Sequence, residues 1–80
     1  MSAADIIARL AAALEAAATR EAPGSALVSV TADLLTRGAD GAIDTQVMRK
    51  TRTLLFMRAT LTGPAGAPIA TANSVHKLEA

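Results

Sequence analysis

The hydrophobic pattern of this chain changes period once, at Pro23-Gly24, and that change restricts the fold more than any other feature. Before it, Ala3, Ile7, Leu10, Leu14 and Ala18 fall on one stripe at about 100° per residue, with Ile6 beside it. Nine of the sixteen residues from 3 to 18 are alanine, the strongest helix former. Ser2, followed three residues later by Asp5, has the spacing of a capping box. These signals predict a helix over 3–20, ended by Pro23-Gly24. Alanines on the far side of that helix, at 8, 12, 13 and 16, point either to a second packing contact there or to no more than the alanine usage of a GC-rich genome.

Beyond Pro23-Gly24 the pattern has the period of strands. In residues 26–35, Val28, Val30, Ala32 and Leu34 alternate with Ser29, Thr31 and Asp33, as in a half-buried strand. Residues 42–51 place Ile43, Thr45 and Val47 on one face. Residues 53–62 open with Leu-Leu-Phe-Met, apolar on both sides, which predicts a central strand covered twice. In residues 69–78, Ile69, Thr71, Asn73 and Val75 alternate with Ala70, Ala72 and Ser74, a face small enough for a helix to lie close. TRGADG at 36–41 and GPAGAP at 63–68 are turns. The expected fold class is α+β: one long helix packed on a four-stranded antiparallel sheet, in the order α-β-β-β-β. It forms a single domain over residues 1–80.

A chain of 80 residues buries only about 60–65% of its unfolded surface, so its own core is thin. There is no cysteine and one histidine, which removes disulfides and a structural zinc site as supports. Self-association remains, and a homodimer or tetramer joined through sheet edges is expected. Net charge is +1, but residues 1–44 hold three basic and six acidic side chains, whereas residues 45–80 hold five basic and one acidic. Arg49, Lys50, Arg52 and Arg58 make a local anion-attracting patch. Phe56 is the one aromatic residue, too little for a nucleic-acid stacking platform. No apolar run is long enough to span a membrane, and the alanine-rich start lacks the basic lead of a signal peptide, so a cytoplasmic location is expected.

The texts of the last two strands carry a resemblance. Arg52-Thr53-Leu54-Leu55-Phe56, with Ala59 and Leu61, is followed by Pro68-Ile69-Ala70-Thr71-Ala72, Ser74 and Lys77-Leu78. Together with Val28 to Leu34 as the first strand after the helix, they resemble hotdog-fold acyl-CoA thioesterases, and among them the small phenylacetate-pathway type. The similarity runs from about residue 4 to residue 78. It implies a helix wrapped by a curved sheet, an acyl-CoA ligand whose coenzyme A moiety belongs to the substrate, and no separate cofactor.

The chain departs from that family where the chemistry sits. Members carry one or two strands and a His-Gly-Gly turn ahead of the helix; here Ser2, Ala3, Ala4 and Asp5 occupy that turn's place. Without those strands, a sheet edge stays open to another chain. The position of the family's carboxylate falls near Ala12, and Glu15 is the nearest acid.

A thioesterase needs a base to activate water and N–H donors to hold the oxyanion. The resemblance makes Glu15 the catalytic candidate and gives Arg49, Lys50 and Arg52 the coenzyme A phosphates. The bland alternatives are a solvated glutamate and a charged turn. His76 reads as an exposed strand-end residue, and Arg58 as a sheet-face side chain paired with Asp33 or Asp44. GPAGAP lacks the spacing of a phosphate loop, and there is no Gly-x-Ser-x-Gly elbow. The expected function is an acyl-CoA thioesterase-like protein with reduced or absent catalysis. The alternative is a non-enzymatic oligomerisation or ligand-binding module of cystatin-like, helix-on-sheet type.

Overall fold

A computed structural model describes residues 2–36 and 41–79. Helix α1 spans Ala3–Glu21, and strands β1 (Ala26–Leu34), β2 (Ala42–Lys50), β3 (Leu54–Thr62) and β4 (Pro68–Lys77) follow. The fold is therefore α+β in the order α-β-β-β-β, one helix on a four-stranded antiparallel sheet. The sheet order is β1-β4-β3-β2, so the last two strands in sequence are its centre and the first two its edges. Most of the expected 36–41 turn lies outside the described residues.

The helix begins as its sequence dictates. The Asp5 N–H donates to Ser2 Oγ and the Ser2 N–H donates to Asp5 Oδ2, both at 3.2 Å. Two otherwise unpartnered donors are thereby satisfied. At the other end the Ala22 N–H bonds to the Ala18 carbonyl. Gly24, at φ +87°, then makes the left-handed turn into β1 that a side chain would resist.

The core lies between α1 and one face of β3 and β4. Ile6, Leu10, Leu14, Ala17 and Ala18 meet Leu55, Met57, Ala59, Leu61, Ala70 and Ala72, all buried. The small-residue face of β4 does what its size predicts. Ala70, Ala72 and, on β3, Ala59 are fully buried and let the helix leucines sit close to the strand backbone.

Three expectations need correction. The buried stripe of α1 runs through Ile6, Leu10, Leu14 and Ala17, whereas Ala3 and Ile7 are exposed. The stripe is rotated from the expected one because Ile6, not Ile7, points at the sheet. β3 is central but is covered by a helix on one face only; Leu54 and Phe56 on its other face stay half-buried. β1 is not half-buried: of its residues only Ala32 is even partly covered, because α1 lies over the sheet centre and leaves this edge bare.

Each edge strand carries an irregularity on the same row. In β1 the register shifts between Leu27 and Ser29, and in β2 between Val47 and Arg49. Both flank the central pair Phe56 and Val75. Val28 and Met48 are the extra residues, 61% and 54% exposed. Such bulges add twist, here to both margins at one level.

The close approach generates a contrast. Ala72→Leu should destabilise the fold by about 1–3 kcal/mol through overpacking. Ala12→Leu, on the exposed side of α1, should change stability by less than about 0.5 kcal/mol. Urea unfolding of both variants measures the difference.

Candidate functional site

The expected cationic turn forms, but its three charges diverge. The bulge at Met48 places Arg49 opposite Phe56, on the face away from α1, and Lys50 opposite Leu55, on the helix side. Lys50 Nζ lies 3.8 Å from Glu21 Oε1 at the end of α1. Both side chains are more than two-fifths exposed, so this pair adds little stability. Arg52 occupies the turn tip. Thr51 fixes that turn: its N–H donates to the Leu54 carbonyl at 2.8 Å, and its Oγ1 accepts from the Leu54 N–H at 3.0 Å. The turn thus offers Arg49 and Arg52 to solvent, with Lys50 drawn toward the helix.

Arg58 forms no ion pair with a described residue. It stands opposite Gln46 and Asn73, whereas Asp44 and Asp33 pair with Thr60 and Thr71. Asp33 is two strands away, out of reach; Asp44 is a diagonal neighbour on the same face, yet no ion pair joins it to Arg58.

Glu15 is exposed on α1. The helix N-terminus, the natural source of oxyanion donors, begins at Ala3. Glu15 lies ten residues beyond Asp5, about 15 Å along a helix axis. That N-terminus is already engaged, since Asp5 puts a carboxylate on it. Its hydrogen bonds from the Ser2 backbone and side chain hold the Asp5 pKa below its ordinary 3.8. An anion arriving there meets a negative charge. Within one subunit, base and oxyanion donors do not converge on one carbonyl.

The residue that sequence reasoning misplaced is His76. It is 1% exposed, on the α1 face near the end of β4, opposite Leu27 of β1 and Leu55 of β3. Ser74, two residues earlier on the same face, is 2% exposed, and its Oγ lies 2.8 Å from His76 Nε2. Burial pushes the ring's pKa below 6.5, and the Glu15 carboxylate opposes this. The signal was available: His76 continues the alternation Ala70, Ala72, Ser74, and that parity faces the helix.

A shallow groove of about 390 Å³ opens at this end of the sheet, lined by Gly24, Ala26, Thr53, Lys77, Leu78 and Glu79. Among the described residues there is no cluster of three metal-ligating side chains, and no helix long and apolar enough to cross a membrane.

The capping geometry yields a test. Ser2→Ala should cost about 1 kcal/mol of stability, read by denaturant unfolding. It should also return the Asp5 pKa toward 3.8, read by NMR titration of its carboxyl. No protein-family model, curated protein or solved structure matches this chain.

Proposed function

We propose that this chain is an acyl-CoA thioesterase-like subunit of hotdog type, which pairs with a second copy through β1 and binds acyl-CoA thioesters with weak or absent hydrolysis. The observation that carries the pairing is the unprotected edge of β1. Leu27, Val28, Val30, Leu34 and the following Leu35 are all exposed on or beside it. Natural edge strands are usually blunted by charge, yet β1 carries only Asp33, near its end. The opposite edge, β2, carries Asp44, Arg49 and Lys50. The asymmetry favours β1 as the joining edge and β2 as the solvated one. An antiparallel β1–β1 pairing also brings the apolar residues left uncovered by α1 into contact with their counterparts.

The acyl-CoA part of the reading rests on the resemblance of the last two strands, and three placements support it. The small face of β4 lies beneath the helix, as a helix wrapped by sheet requires. Arg49 and Arg52 are free to meet phosphates at the turn. Glu15 is the acid nearest the expected position. Weak hydrolysis follows from the separation of Glu15 and the α1 N-terminus; a single thioester carbonyl would need donors from elsewhere, the second subunit included. With no spanning helix among the described residues and no cysteine, a cytoplasmic setting is part of the same proposal.

A second reading, a non-enzymatic assembly module, is favoured by that same separation and by the carboxylate already capping the helix. Light scattering and an acyl-CoA panel decide between them. The expected results are a dimer that becomes monomeric in Val30→Lys, and saturable acyl-CoA binding that weakens in an Arg49→Ala, Arg52→Ala double variant. Any thiol release should vanish in Glu15→Gln. A dimer indifferent to every acyl-CoA would overturn the ligand and leave the assembly module. A monomeric wild type would overturn the pairing itself.

A further inference from the structure

His76 is a titratable ring, 1% exposed, on the face of the sheet that α1 covers. From α1, the charged group whose field reaches it is Glu15. From β1 and β3 it meets Leu27 and Leu55 across the strand pairs, and neither can carry charge. On β4 itself, Lys77 is exposed and turns to the opposite face. Among the described residues, its hydrogen-bond partner is Ser74 Oγ, at 2.8 Å from Nε2. A hydroxyl can donate to the bare nitrogen of a neutral ring or accept from its N–H. It cannot compensate the desolvation of a full positive charge, which is why buried bases favour the neutral form.

We propose that His76, buried beneath α1 and held by Ser74 of its own strand, makes the packing of α1 on the sheet acid-sensitive: closed while the ring is neutral and released when the ring takes a proton. Protonation places a cation between two leucines under the helix. The relief open to this structure is for α1 and the end of β4 to part and admit water. Glu15 moderates the device: its carboxylate favours the imidazolium, so the closed state holds to a more acidic pH than it would without that charge.

The sign follows from proton linkage. An unfolded histidine binds protons more readily than this buried one, so stability is full above the ordinary pKa of 6.5 and is lost as pH falls toward the lowered folded value. The loss sits above the range in which Asp5 titrates, since that carboxyl lies below 3.8.

His76 is the only histidine, so its ring resonances need no assignment by mutation. NMR titration of the folded wild type should give a pKa below 6.5, falling further in Glu15→Gln. Thermal midpoints should fall between about pH 7.5 and pH 5 in the wild type. That fall should largely disappear in His76→Gln, and in the double variant Ser74→Ala, His76→Leu, which removes both polar partners together. A ring titrating at or above 6.5 would overturn the proposal, as would wild-type and double-variant midpoints falling in parallel. The wild-type titration decides the matter even where a variant fails to fold.

Discussion

The contact on which everything else depends is the seating of Leu10 and Leu14 against a floor of Ala59, Ala70 and Ala72. All five are fully buried. Among the described residues there is one helix and one sheet, so no second layer there compensates if this contact opens. Its strength comes from a match of sizes. Leucines on the helix meet alanines on the two central strands, so the backbones approach closely and dispersion contacts are dense. The strand order makes the match possible, because β3 and β4, last in sequence, lie at the centre of the sheet beneath the helix. The edge strands gain little from α1 and hold on chiefly through their ladders to β3 and β4.

Much of this architecture was legible in the residues. The helix ends, the four strands and the close-packing face of β4 all follow from local signals: a cap, a Pro-Gly break, alternation, and small side chains on one parity. What the sequence hid was the order in which strands lie side by side. ALVSVTADL alternates as well as any strand in the chain, and alternation says that one face can be buried, not that anything covers it. Only after β1 is placed at an edge does the exposure of Val30 and Leu34 follow. Leu-Leu-Phe-Met misled in the opposite sense, since an apolar run fits a central strand without requiring a second covering layer.

The functional residues divide along the same line. The Arg49 turn was legible because turn position and charge are local properties, but its divergence was not. That divergence depends on one extra residue, Met48, which sends Arg49 to one face and Lys50 to the other. Glu15 could be placed on the helix, yet its distance from the helix N-terminus limits what it can do. His76 looked peripheral because of its position in the sequence. Its place in a ladder between Leu27 and Leu55 makes it interior, and a chain end can lie in the core when it forms the middle of a sheet.

The bulge at Val28 has a further consequence for geometry. A strand adding to the outer side of β1 can follow its hydrogen-bonding rhythm without interruption only from Ser29 to Leu34, past the register shift. Six residues of strand extend about 20 Å. Thr31 and Ala32 lie at the middle of that stretch, so a symmetric self-pairing would put its rotation axis beside them. The fold thus carries its own ruler: the bulge at one end and the end of β1 at the other limit both the length and the centre of any ladder that grows from this edge.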